Sequence, residues 1–174
     1  MGGIRVLVDE RVIYRVKKNN NSEYSFAKHL QFNLSRQNIV YDRALAELRA
    51  GKKITCWMWY IFPGLRALAK SRKAFVFSLQ GPHDARSYLS HPILGKRLIE
   101  CCKALLTHKD KKIEDILGEV DAEKLHSSMT IFNYVSGDEN SVFKMVLSEF
   151  FGGVPDYITL SQLRKEIIIW EFTN

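Results

Sequence analysis

The chain is 174 residues long, with 46% hydrophobic and 26% charged residues, and this balance fits a single globular domain that has its own hydrophobic core. No stretch approaches the roughly 18 apolar residues of a membrane span, and the first residues lack the apolar centre of a signal peptide, so we expect a cytoplasmic protein with no membrane partner. The net charge of +7 is concentrated in residues 1–75, which hold 15 Lys and Arg against 5 Asp and Glu; this is typical of proteins with phosphate-bearing partners, and equally of chains whose lysines are simply solvated.

The first 24 residues are predicted to form an extension made of a β-hairpin and a polar linker. Apolar and polar residues alternate in residues 4–8 and 12–16, as expected of two short strands. A helical domain is then expected over residues 25–165, with Ser25 as the cap of its first helix.

Glycine and proline mark the ends of the predicted helices. Gly51 and Gly152 each follow apolar residues at helical spacing and suit the left-handed end of a helix. Pro82 and Pro92 each suit the first position of a helix, and Asp121 suits a cap.

The carboxyl-terminal residues 166–174 are rich in β-branched and aromatic side chains and are predicted to form a strand. The predicted fold class is therefore mainly α: a compact single-domain bundle of six or seven short helices, with a small β-ribbon built from the two termini. Because exposed strand edges can pair between chains, we expect a monomer, or a dimer formed through residues 4–8 and 167–172.

Four segments of the chain together resemble one family. They are residues 46–53 (AELRAGKK), 57–63 (WMWYIFP), 85–95 (ARSYLSHPILG) and 124–132 (KLHSSMTIF), followed by residues 151–153 and 155–156. In combination they resemble the "domain of unknown function 1810" family over about residues 29–163. The resemblance implies a compact, mostly α-helical intracellular protein with no established activity. The chain departs from the family pattern at Thr55 and Cys56, where Ser and His are usual, and at Gly64, where Gln is usual.

A weaker resemblance is to the NADAR group of α-helical proteins, through a helix that opens with His91 and Pro92 and through a tryptophan. This resemblance implies hydrolysis of N-glycosidic bonds. Such a reaction needs a carboxylate to activate water, for which Asp121 and Glu47 are the candidates, and His91 could serve as a general acid or base.

Other candidate ligand-binding residues lie in the same segments. If residues 57–59 are helical, Trp57 and Trp59 point about 200° apart, so one could face the core while the other stacks a planar ligand; burial of both remains the alternative. His91 lies at a predicted helix start, where backbone N–H groups bind anions, although it could equally be a cap.

The residues Lys124, Ser127 and Ser128 share one helix face at spacings of three and four. Their hydroxyl groups could serve either close helix packing or hydrogen bonds to a ligand.

Function stays unknown at this stage, including whether the protein is an enzyme, and two hypotheses follow. In the first, a pocket binds a phosphorylated, nucleotide-like small molecule and is lined by Trp57, Trp59, Arg86, His91, Lys124, Ser127 and Ser128. In the second, a non-catalytic interaction module contacts nucleic acid or an acidic protein through basic residues 17–18, 49–53 and 70–73. The five histidines and three cysteines lack metal-ligand spacing and no nucleotide-cofactor motif occurs, so neither a metal nor a cofactor is predicted.

Overall fold

The computed structural model describes the backbone of residues 20–173 and the side chains of residues 28–165. In that part of the chain nine α-helices and one 3₁₀ turn follow one another. Their bounds are α1 Asn20–Ala50, α2 Met58–Ile61, the 3₁₀ turn Arg66–Leu68, α3 Arg72–Phe77, α4 Pro82–Ser90, α5 Leu94–Leu105, α6 Ile113–Leu117, α7 Glu119–Ser136, α8 Val142–Phe151 and α9 Tyr157–Thr173. None of the helices in this range is long and apolar enough to cross a membrane.

The mainly α prediction is correct, but the β-ribbon is wrong. Residues 166–173, predicted as a strand, continue helix α9, and the only β-pairing among the described residues is an isolated bridge between Leu65 and Leu79. The physical reason is that β-propensity depends on context, and Asp156 starts a helix here by accepting a hydrogen bond from the backbone N–H of Thr159 (3.2 Å). Residues 4–16 lie outside the described residues. The proposed dimer edge also needed a strand at residues 167–172, and those residues are helical.

Several helix ends were placed correctly from single residues. Gly51 ends α1 with a φ of +67°, in the left-handed region, and Pro82 is the first residue of α4. Ser25, however, lies inside α1, which is one helix of 31 residues. Helix α5 starts at Leu94 and not at Pro92, and Asp121 lies inside the first turn of α7 and not at its cap. The expected domain boundaries at residues 24 and 165 fall within α1 and α9.

The long helix α7 contacts α4, α6, α8 and α9, while α1 packs against α2 and α5. The buried apolar side chains between these helices form one continuous core. Its largest fully buried members include Trp57, Phe62, Tyr88 and Phe132, and burial of side chains of this size contributes about 1.5–3 kcal/mol each. The short helix α2 and the loop before it lie beside the start of α7, and this contact positions the candidate site.

Candidate functional site

Glu47 organises the loop that leads into the aromatic segment. It lies in the last turn of α1, and its Oε2 accepts hydrogen bonds from the backbone N–H groups of Ile54 (2.7 Å) and Thr55 (3.0 Å) and from the indole Nε1 of Trp57 (2.7 Å). Its Oε1 accepts a further bond from the hydroxyl of Thr55 (2.7 Å). One carboxylate therefore fixes both the path of the loop and the position of a core tryptophan.

Burial on its own would raise the pKa of Glu47, but the hydrogen bonds from Ile54, Thr55 and Trp57 outweigh it and hold the pKa at about 2. Glu47 is thus ionised at neutral pH. Both of its oxygens already accept bonds from the protein, whereas a general base needs a lone pair directed at water. Its contacts are those of a residue that supports the loop.

The two tryptophans have different surroundings. Trp57 directly precedes α2, is 1% exposed, and packs in the core with its ring centroid 6.4 Å from that of Phe62. Trp59 lies within α2 and is half-buried. The aromatic segment therefore places one tryptophan in the core and leaves the other partly exposed at the surface.

Two lysines converge on Asp121, which lies in the first turn of α7. The Nζ of Lys53 is 2.8 Å from Asp121 Oδ2, and the Nζ of Lys124 is 2.6 Å from Asp121 Oδ1. Lys53 arrives from the loop after α1, where its backbone N–H donates to the carbonyl of Ile116 (2.8 Å). These contacts attach the loop to the junction of α6 and α7.

Burial would raise the pKa of Asp121, but the hydrogen bonds and charges of Lys124 and Lys53 outweigh it and lower this pKa. Asp121 is therefore an ionised partner of two cations, and each of its oxygens faces an ammonium group. It holds the two lysines in fixed positions.

The same lysines lie over tryptophan rings. The Nζ of Lys53 is 5.2 Å from the ring centroid of Trp57, and the Nζ of Lys124 is 4.6 Å from that of Trp59. A third ammonium group, that of the exposed Lys73 in α3, lies 5.7 Å from the Trp59 centroid. We call Lys53, Trp59, Lys73, Asp121 and Lys124 the Trp59 cluster. Its three lysines and one aspartate leave it two positive charges.

Two buried polar atoms, the indole Nε1 of Trp59 and the Oγ of Ser128 in α7, have no hydrogen-bond partner among the described residues. Ser128 lies one turn after Lys124 on the same face of α7, and its side chain is fully buried. Most buried polar side-chain atoms have a partner in the protein or in ordered water. The indole Nε1 of Trp59 belongs to a half-buried side chain and is therefore a candidate for a hydrogen bond to a bound molecule, whereas Ser128 is enclosed in the core.

Two of the other predicted ligand-binding residues, His91 and Ser127, have structural partners. His91 follows α4, and its Nδ1 accepts hydrogen bonds from the backbone N–H groups of Ile93 and Leu94 (both 3.2 Å), so it caps the start of α5. Ser127 is hydrogen-bonded to the hydroxyl of Thr159 (2.7 Å) where α7 meets α9. Arg86 lies in α4 and is half-buried.

Two members of the cluster, Lys53 and Lys73, are not among the predicted ligand-binding or catalytic residues. Each belongs to a basic segment that the sequence does show, but nothing in those segments distinguishes one lysine from the next. The structure singles them out because Lys53 reaches Asp121 and Lys73 reaches Trp59.

Within residues 28–165, neither cavities nor metal ligands mark a second candidate site. A surface concavity of about 610 Å³ lies between α8 and the segment that follows α5, and none of the predicted ligand-binding residues lines it. Among the described residues, no group of three or more His, Cys, Asp and Glu side chains could hold a metal ion.

Comparisons with known proteins agree with this architecture. A family model described as "Protein of unknown function (DUF1810)" matches residues 27–163. The crystal structure of a conserved hypothetical protein from Mycobacterium tuberculosis is similar to this chain with 38% sequence identity and a TM-score of 0.75, over 78% of this chain and 96% of that one. No curated protein matches the chain.

Proposed function

This chain belongs to the DUF1810 family of proteins of unknown function, and from that premise we propose that its Trp59 cluster binds a small phosphorylated molecule that carries a planar ring, such as a nucleotide. The observation that carries the proposal is a chain of contacts centred on Lys124: it shares the Asp121 carboxylate with Lys53, and it shares the half-buried indole ring of Trp59 with Lys73.

The charge of the cluster suits a phosphate group. Asp121 neutralises one of the three lysines, and the two remaining positive charges match the charge of a phosphate monoester near neutral pH. Charge-assisted hydrogen bonds from ammonium to phosphate are stronger than neutral ones. A phosphate bound here would share Lys53 and Lys124 with Asp121.

The ring of Trp59 supplies the second half of the recognition. Aromatic faces stack planar bases, and the indole Nε1 of Trp59, which has no partner among the described residues, could hydrogen-bond the polar edge or the sugar of such a ligand. The ring of Trp59 lies next to the ammonium groups of Lys124 and Lys73, so the groups proposed to bind the base and the phosphate of one ligand are side by side.

We limit the proposal to binding, because the candidate catalytic groups are occupied. Asp121 is paired through both oxygens, Glu47 supports the loop, and the Nδ1 of His91 caps a helix. The N-glycosidase expectation therefore gains no support from their geometry.

The proposal is tested by thermal-shift and tryptophan-fluorescence titrations with ADP-ribose, NAD and mononucleotides. A ligand at ten times its Kd stabilises a protein by about 1.4 kcal/mol, or about 3–6 °C in the midpoint for a chain of this size. We expect such a shift for the wild type and its loss in Lys124→Ala. The matched control is Lys144→Ala, which removes an exposed lysine of α8 and should leave the shift unchanged. No shift with any of these ligands at millimolar concentration refutes the proposal.

A further inference from the structure

The positive charge of the chain comes from one continuous segment. Residues 48–83 contain seven Lys and Arg and no Asp or Glu, whereas the other 138 residues carry 19 of each sign. The segment therefore accounts for the whole net charge of +7. It spans α2, the 3₁₀ turn and α3, and it extends well beyond the Trp59 cluster.

An exposed aromatic ring lies within this segment. Phe75 in α3 is 52% exposed, and the guanidinium carbon of Arg66 is 4.9 Å from its ring centroid. Arg72 precedes Phe75 by three residues and so lies on the same face of α3. Lys70 and Arg72 are exposed and form no ion pair with any described residue. We call Arg66, Lys70, Arg72 and Phe75 the Phe75 face.

We propose that the Phe75 face binds single-stranded nucleic acid, with a base stacked on Phe75 and the Arg66 guanidinium and with phosphates held by Arg72 and Lys70. Proteins that bind single strands combine a basic surface with aromatic rings that stack successive bases. In a duplex the faces of the bases are covered by their neighbours, so an exposed ring adds affinity only for an unpaired strand.

The residue types favour a nucleic acid over an acidic protein. Arginine pairs with carboxylate and with phosphate in the same planar, bidentate manner, so the charges alone suit either partner, but arginine also stacks on aromatic rings. A half-exposed phenylalanine beneath a guanidinium group adds a stacking surface that acidic side chains do not use. This inference does not depend on ligand binding at the Trp59 cluster, because the two surfaces use different residues.

The test is fluorescence anisotropy of a labelled 20-nucleotide oligothymidylate with the full-length chain, titrated at several salt concentrations. We expect Phe75→Ala to raise Kd about 5- to 150-fold with an unchanged salt slope, since loss of stacking removes no charge. Arg72→Ala should weaken binding and lower the slope of log K against log salt by about 0.7, the value for one phosphate contact on a single strand.

Matched controls separate this surface from general basicity. Met145 in α8 is also 52% exposed, so Met145→Ala removes an equally accessible apolar side chain. Lys144→Ala removes the exposed positive charge next to Met145. Both variants should bind the single strand as the wild type does. The midpoint of thermal unfolding of Phe75→Ala must match that of Met145→Ala within about 2 °C. If the midpoint of Phe75→Ala is lower than that, Phe75→Leu is used in its place, because leucine keeps the apolar contacts and loses only the aromatic ring.

Three outcomes overturn the inference. The first is no binding of the oligothymidylate at low salt. The second is wild-type affinity in the variants of Phe75, and the third is equal displacement by duplex DNA or by polyglutamate, which would indicate a general anion-binding surface. Failure of this inference can be told apart from failure of the Trp59 proposal. Lys124→Ala abolishes the nucleotide-induced thermal shift only if the Trp59 cluster binds nucleotides. Phe75→Ala should leave that shift unchanged.

Discussion

Replacement of Glu47 by alanine is expected to destabilise the fold strongly without touching its apolar core. The substitution removes the acceptor of four hydrogen bonds at once. The backbone N–H groups of Ile54 and Thr55 can turn to water, because Ile54 is exposed and Thr55 is half-buried. The indole N–H of Trp57 cannot, because that side chain is 1% exposed.

The size of the effect follows from these contacts. A buried donor left without a partner costs about 1–3 kcal/mol, and the lost hydrogen bonds to a charged carboxylate add about 1.5–3 kcal/mol. We therefore expect Glu47→Ala to lower the free energy of unfolding by about 3–5 kcal/mol. For a chain of this size that corresponds to a fall of about 6–20 °C in the midpoint.

Urea unfolding of four proteins measures the effect and its cause: the wild type, Glu47→Ala, Trp57→Phe and the double variant. Because phenylalanine has no N–H, the loss caused by Glu47→Ala should shrink by about 1–2 kcal/mol in the Trp57→Phe background. Glu123→Ala is the control, since Glu123 is exposed on α7 and its loss should stay within about 0.5 kcal/mol. A Glu47→Ala loss no larger than that of the control, or one of equal size in both backgrounds, would show that the carboxylate does not hold Trp57.

Three further predictions concern stability. Folding lowers the pKa of Glu47 from 4.5 to about 2, so the stabilisation from its ionised carboxylate is complete above pH 4.5 and is lost as the pH falls through about 2. Between pH 5 and pH 2, the free energy of unfolding of Glu47→Ala should therefore depend less on pH than that of the wild type. An equal pH dependence in both proteins would contradict this. Gly51→Ala should lower the free energy of unfolding, measured by thermal unfolding, by about 1–2 kcal/mol, because φ at this position is +67° and the new Cβ would lie 2.8 Å from Lys111 Nζ. A more stable variant would contradict the left-handed conformation of residue 51. Thr159→Val keeps the shape of the side chain but removes the hydroxyl that bonds Ser127 and Asp156. It should lower the free energy of unfolding in urea by about 1–2 kcal/mol. An unchanged free energy would mean that the α7–α9 contact does not depend on this hydroxyl.

Local features of the sequence were enough to place helix ends. Gly51 and Gly152 each adopt a positive φ directly after a helix, and glycine adopts that conformation without the steric penalty of a side chain. Pro82 starts α4 because its missing N–H is not needed in the first turn. Such positions depend on one residue and its immediate neighbours, and so they can be predicted without knowledge of the fold.

Long-range contacts could not be predicted in this way. Lys53 and Asp121 are 68 positions apart, and no spacing rule links a loop lysine to the first turn of a distant helix. Residues 167–169, three consecutive isoleucines, favour a strand on propensity, yet they continue α9. Glu47 was recognised as a candidate carboxylate, but whether its oxygens face water or four donors depends on how residues 51–57 fold back over it.

The bond between Trp57 and Glu47 gives the protein a spectroscopic reporter of its own. The indole N–H of Trp57 is shielded from solvent, and its nitrogen lies 2.7 Å from a carboxylate oxygen. Its proton should therefore exchange slowly with deuterium and resonate apart from the indole proton of Trp59 in a nitrogen–proton spectrum. Since the ammonium group of Lys53 lies over the same ring, binding of an anion by that lysine would change the shielding of the proton. One resonance therefore reports both the integrity of the loop and the occupancy of the neighbouring site.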